Sequence, residues 1–250
     1  MNGKVQDHYE NLLALHYSWM FGKSFGERVS EELALLRSLG LGKGIKGMAI
    51  DLGCGPGWQC AALADLGSSR VLGIDTSGTL LGELSNHTAQ RPIEGILADM
   101  CDLEHLVAPG SAETVVCMGD TLPHLPDRES VRALFVQVYA ALQRGGVFVL
   151  TFRDLSFALL GLDRIVPIRA TDDRIMTCIL DFGPERVTVT DVIHLRGNTA
   201  WQMMKSSYEK LRLRPHWVAA ALASCGFEVL RNEPAAHLHA VVAVKPYGGC

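Results

Sequence analysis

The stretch Ala49-Ile50-Asp51-Leu52-Gly53-Cys54-Gly55-Pro56-Gly57 decides how the rest of the chain is read. Apolar residues run into an acid, and glycine then takes every second position. This is the pattern of a buried strand ending in a turn whose backbone, not its side chains, meets a ligand. Glycine has no Cβ, so a ligand can lie against the main chain and a positive φ is tolerated. The spacing departs from the dinucleotide fingerprint, because Gly57 follows Gly55 by two positions, not three.

Outward from this turn, strands and helices alternate. The pattern predicts strands at 47–52, 70–75, 94–99 and 113–118, and helices at 58–66, 78–88 and 128–143. Gly145-Gly146 is expected to end the last helix and open a strand at 147–152. Near-continuous apolar strands separated by helices define an α/β fold: a doubly wound, mostly parallel, Rossmann-like sheet. Upstream, helices are expected over 7–21 and 26–39. Residues 163–209 lose the helical period and read as four antiparallel strands inserted after the fifth strand. A helix from Pro215 to Gly226 and strands at 227–231 and 238–244 complete a seven-stranded sheet. The expected organisation is one domain: an N-terminal helical cap (1–40), a cofactor-binding core (41–160), the β insertion as lid or dimer surface (161–212), and a closing segment (213–250).

Composition sets outer limits. The 250 residues are 48% hydrophobic with a formal net charge of −4, so no global field attracts nucleic acid. The one basic patch, Lys210-Leu211-Arg212-Leu213-Arg214, alternates and is expected on a solvated edge or an oligomer contact. Seven cysteines without a CxxC pair argue against a disulfide framework and a zinc site. No stretch is apolar and long enough to span a bilayer, and no signal-peptide core opens the chain, so the expectation is a cytoplasmic protein without a membrane partner. The inserted strands leave room for a homodimer or larger homo-oligomer.

Doubly wound sheets bind ligands at the carboxyl ends of their strands. That rim collects the residues able to do chemistry. Asp75, followed by Thr76, ends the second strand about 20 residues past the glycine turn, where a carboxylate accepts from both hydroxyls of a ribose. The alternative is a simple helix-capping acid. Asp99-Met100 ends the third strand; the acid can accept from an adenine amino group, with Asp102 as competitor, and the methionine can pack on the ring. The loop Met118-Gly119-Asp120-Thr121-Leu122-Pro123-His124 is polar at a strand end, where loops position reacting groups. His124 is either a base or a structural hydrogen-bonder. Arg153 offers a fork for a substrate carboxylate, or a salt bridge to Asp154 or Asp120. The aromatic run around Tyr9, Tyr17, Trp19, Met20 and Phe21 exceeds one helix face, so part of it is expected to close over the ligand.

Residues of about 49–153 resemble the core of the class I S-adenosylmethionine-dependent methyltransferases. Within that group, Cys117–Asp127, Phe152-Arg153-Asp154 and Lys210-Leu211-Arg212-Leu213 resemble phrases of glycine N-methyltransferase and the glycine/sarcosine methylating enzymes. The resemblance implies that Asp51, Gly53, Cys54 and Gly55 border the methionine part of the cofactor. It gives Asp75 with Thr76 the ribose, Asp99 with Met100 the adenine, and Met118 and Gly119 a place beside the cofactor. Arg153 would take a substrate carboxylate; the N-terminal region differs from those enzymes, so Tyr17 and Trp19 are expected at the substrate from the aromatic run alone. Those enzymes carry asparagine where this chain has Asp120, which favours a more cationic partner or a proton acceptor. The implied activity is methyl transfer to a small-molecule acceptor, the nitrogen of an amino acid or amine, with S-adenosylhomocysteine as product and Asp120 or His124 taking a proton. Oxygen or sulfur methylation in natural-product tailoring, or cofactor binding without catalysis, stay open as alternatives.

Overall fold

A computed structural model describes residues 3–42, 44–88 and 90–248. An N-terminal segment contains α1 (Gly3–His8), a π-helical turn (Tyr9–Leu13), a 3-10 turn (Ala14–His16) and α2 (Tyr17–Phe21), and leads to α3 (Phe25–Ser38). Then follow β1 (Met48–Leu52), α4 (Trp58–Leu66), β2 (Arg70–Asp75), α5 (Gly78–Thr88), β3 (Ile93–Leu97), α6 (Leu103–Leu106), β4 (Ala112–Cys117), α7 (Arg128–Ala141) and β5 (Leu142–Phe152). The inserted sheet is β6 (Ile165–Ala170), β7 (Arg174–Phe182), β8 (Arg186–Arg196) and β9 (Trp201–Leu211). The chain closes with α8 (Pro215–Ser224), β10 (Glu228–Ala235) and β11 (Leu238–Val244).

The main sheet has the order β10-β11-β5-β4-β1-β2-β3, parallel except where β11 joins β5 and β10. The order reverses between β1 and β4, so the crevice of a doubly wound sheet opens beside the β1 tip. Each face of the sheet is covered. Val131, Leu134, Phe135 and Val138 of α7 recur at helical spacing and pack with Phe148 and with Val218 and Leu222 of α8. On the other face α4 is buried nearly all round, between the sheet and Val29 and Leu36 of α3. A capping box starts α3, with Ser24 and Glu27 satisfying each other's backbone N–H groups.

The second sheet, β6-β7-β8-β9, is antiparallel throughout. Its inner face receives the N-terminal segment. Val5 packs with Val187, Val189 and Tyr208, and Leu12 and Leu13 pack with Met176 and Ile193. No described helix is long and apolar enough to cross a membrane.

Three expectations need correction. The single helix over 7–21 is four short helical pieces; with the π turn at Tyr9–Leu13, Leu12 and Leu13 pack on Met176 and Ile193 of the second sheet, and Tyr9 packs beside them and reaches the His124 and Tyr208 rings. β5 starts at Leu142, before the glycine pair; Gly145 sits within the strand at φ +76, donates to Lys245 O at 2.7 Å, and has no room for a Cβ against Tyr247. The basic patch is not a solvated edge. Lys210 pairs with Asp120, Arg212 donates to the carbonyls of Leu155, Ser156 and Gly183, and Leu211 and Leu213 fill the core.

Candidate active site

The glycine turn is fastened to the second strand. Gly53 and Cys54 N–H both donate to Ile74 O, at 2.8 and 3.1 Å. Gly53, Gly55 and Gly57 have φ of +72, +53 and +91, a region that side chains resist. Space is short as well: a Cβ on Gly53 would lie 2.8 Å from Thr121 Oγ1, and one on Gly57 would lie 2.8 Å from Leu84 Cδ1. Gly53→Ala is therefore expected to displace the 118–121 loop and lower cofactor affinity at least tenfold, as measured by calorimetry with S-adenosylhomocysteine. Affinity equal to the parent would show that the turn adapts and is not the cradle.

Asp75 stands at the β2 tip. Its Oδ2 accepts from Gly55 N–H and its Oδ1 from Ser77 N–H, each at 2.8 Å. Burial raises its carboxyl above the ordinary value, and these backbone donors pull the other way. Thr76 presents its carbonyl to Gln6 Nε2 at 3.4 Å. Asp51 lies beneath the turn, buried, with the Cys60 thiol 3.2 Å from its Oδ2; burial pushes its carboxyl up to about 7. Cys54 is buried next to it. Asp99 ends the crevice and caps the following turn through Cys101 N–H at 3.0 Å. Met100 is turned into the core with Ile74 and Leu103, so its side chain is not free to flank a ring. Met118 is buried below the turn, and Gly119 N–H donates to Thr151 Oγ1 at 2.9 Å.

The polar loop meets the second sheet. Asp120 is 4% exposed and sits at φ +77. Its Oδ2 takes Lys210 Nζ at 2.6 Å and its Oδ1 takes Arg153 N–H at 2.8 Å. The Arg153 side chain is 53% exposed, with Nε 3.6 Å from Asp120 Oδ2. The cationic partner expected for Asp120 is thus Lys210, within the protein. His124 is buried between Tyr9, whose hydroxyl is 3.5 Å from Nε2, and the Tyr208 ring, stacked at 5.2 Å. Burial, then the charges of Lys210 and His8, hold its imidazole well below the ordinary range, so it is neutral at physiological pH.

Tyr17 closes over the glycine turn. Its ring stacks on Trp58 at 5.7 Å and lies 3.7 Å from where a Cβ of Gly55 would be. Trp19 does not join it. The ring is flanked by the guanidinium groups of Arg169 and Arg174, at 5.0 and 4.8 Å, on the second sheet. Sequence reasoning missed Glu10, His8, Lys210, Asp191 and Tyr208. Glu10 raises the Asp75 carboxyl and accepts from Thr79 Oγ1 at 3.2 Å, while its Oε1 is buried without a partner among the described residues. An acid within an aromatic stripe was the available signal for Glu10; the other four lie far away in sequence from what they touch.

The comparisons with known proteins follow this geometry. Residues 49–146 match the family described as "Methyltransferase domain". The CcbJ methyltransferase from Streptomyces caelestis superposes with TM-score 0.77 at 17% identity, covering 96% of this chain and 99% of that one. A sugar N-methyltransferase from Streptoalloteichus sp ATCC 53650 gives 0.71 at 17%, over 90% and 89%. An amino pentose methyltransferase from Micromonospora echinaspora gives 0.71 at 16%, over 91% and 94%. Among curated proteins none matches the chain. The fold is that of the class I methyltransferases, and residues 49–146 carry the methyltransferase domain itself. The match over residues 49–146 and this shared fold are what a methyltransferase reading rests on, and one protein of similar fold, from Clostridium acetobutylicum, is an S-adenosylmethionine-dependent methyltransferase (TM-score 0.73 at 14% identity, covering 98% of each chain).

The residues present fit that cofactor. The Glu10 carboxylate acts on that of Asp75, and Glu10 Oε1 lacks a donor among the described residues. Ribose hydroxyls and an ammonium group supply such donors. Half-buried Tyr9 and Tyr17 add aromatic walls.

Proposed function

We propose that this enzyme methylates a small-molecule acceptor at an amine nitrogen, with His124 as the proton acceptor. One observation carries the reading. A neutral, buried imidazole stands between the cofactor turn and the second sheet, walled by Tyr9, Tyr208 and Lys210. An aromatic cluster packed beside the glycine turn suits a small-molecule acceptor better than a nucleic-acid strand. S-Adenosylmethionine supplies an electrophilic methyl group on a sulfonium. The turn, with Tyr17 over it, borders the methionine part, and alignment of donor and acceptor contributes about 7–11 kcal/mol by effective molarity. With the cofactor bound, the nitrogen–carbon bond would form as the sulfur–carbon bond broke, and that electron pair would stay on sulfur. The displaced proton passes from nitrogen to His124. The sugar N-methyltransferase and amino pentose methyltransferase among the structural neighbours support an amine acceptor.

Within this reading Asp75 with Thr76 and Glu10 hold the ribose and methionine ends, Asp99 the adenine, and Arg153 an anionic group of the acceptor. The narrower likeness to glycine-methylating enzymes rests on the loop and Arg153, and the Asp120–Lys210 pair leads away from it. A panel of amines, amino sugars, alcohols and thiols, scored by S-adenosylhomocysteine release, tests the reading; turnover confined to alcohols or thiols overturns it. Arg153→Ala should raise the acceptor KM about 10- to 100-fold while leaving cofactor affinity intact. An unchanged KM removes Arg153 from the acceptor site.

A further inference from the structure

β8 alternates, and Val187, Val189, Asp191 and Ile193 fall on its buried face. An acid in a position that the period of two reserves for apolar side chains must find a partner. It does so across the molecule. Asp191 is 3% exposed, His8 of α1 is 1% exposed, and His8 Nε2 lies 3.0 Å from Asp191 Oδ2. A carboxylate only accepts, so Nε2 carries the hydrogen. The His8 ring packs 4.4 Å from the Tyr208 ring, whose other neighbour is His124. Tyr9, the next residue along the chain, is the one that reaches His124 Nε2. Nδ1 of His124 is buried with no partner among the described residues.

We propose that the His8–Asp191 pair is a positioning device for methyl transfer: it anchors the N-terminal segment to the second sheet so that Tyr9 engages Nε2 of His124, leaving Nδ1 as the proton-accepting nitrogen. The proposal rests on the reading of His124 as proton acceptor. The rigid partner is β8, which is hydrogen-bonded on both sides within the second sheet. His8 transmits its position to the π turn, where Tyr9 begins. In this proposal Nε2–H of His124 donates to the Tyr9 oxygen, so Nδ1 keeps its lone pair, and no group among the described residues competes for it. The charged and titratable groups facing this cluster are Tyr9 and His8 from the N-terminal segment, Lys210 and Tyr208 from β9, Asp191 from β8, Cys178 from β7, and Asp120 through Lys210.

The test needs no methyl acceptor. Nitrogen NMR of the full chain, histidine-labelled and saturated with S-adenosylhomocysteine, reads the tautomer of His124, assigned by His124→Gln. The parent is expected to show one tautomer, protonated at Nε2. His8→Phe with Asp191→Val removes both buried polar groups together and should fold. It should bind S-adenosylhomocysteine as the parent does, yet show His124 as a tautomer mixture. His8→Gln keeps a donor near the old Nε2 and should restore the single tautomer. An unchanged single tautomer in the folded double variant overturns the proposal, as does a His8→Gln spectrum equal to that of the double variant. Absence of turnover on amines, with the tautomer shift present, would instead remove His124 as base and leave the positioning intact.

Discussion

Replacing Asp75 with alanine is expected to weaken S-adenosylmethionine binding by about a hundredfold or more. The carboxylate does two jobs at once. It accepts Gly55 N–H and Ser77 N–H at 2.8 Å each, which holds the turn against the β2 tip. It also leaves lone pairs facing the crevice for the ribose. A hydrogen bond to a charged group contributes about 1.5–3 kcal/mol, and the alanine variant loses those to the ligand as well as the two that shape its cradle. Asp75→Asn keeps one acceptor oxygen and should fall between the two. Calorimetry with S-adenosylhomocysteine, run beside a melting curve, separates this from simple helix capping. A capping acid would cost stability and spare affinity, and that result would dismiss the ribose role.

How far this site could be read in advance depends on the distance over which each residue acts. The turn was legible because Gly53, Gly55 and Asp75 act on backbone close by, and parallel strands buried on both faces show up as apolar runs. The inserted sheet was legible from its turns at Asp172-Asp173 and Gly183-Pro184 and from the lost helical period. Partners across the chain were not. Lys210 alternates with leucines in the same way whether it faces water or Asp120, and only tertiary packing decides. Trp19 belongs to the aromatic run by sequence, but Arg169 and Arg174 of the second sheet draw it away from Tyr17. The π turn has no composition signal of its own; it lies where Leu12 and Leu13 pack on the second sheet and Tyr9 reaches the His124 ring. Asp191 did carry a signal, an acid in phase with Val187, Val189 and Ile193, but its meaning needed His8.

Lys210→Met should be the most destabilising single change at the loop. Lys210 and Asp120 have side chains 12% and 5% exposed, and their 2.6 Å contact is the strong one at that carboxylate. Removing one member of a buried pair costs about 3–5 kcal/mol, because the other charge stays desolvated. Arg153 Nε, at 3.6 Å, can recover part of this, which places the expected loss near the lower end, about 3 kcal/mol. For a chain of this size that corresponds to a fall in Tm of roughly 6–12 °C. The effect should reach function, since Asp120 also accepts Arg153 N–H and so fixes the end of β5 where Arg153 begins. Combining Lys210→Met with Asp120→Asn removes both charges and keeps a carbonyl for that N–H, so most of the lost stability should return. A double variant as unstable as the single one would show that the lysine acts through the packing of its stem and not through its charge.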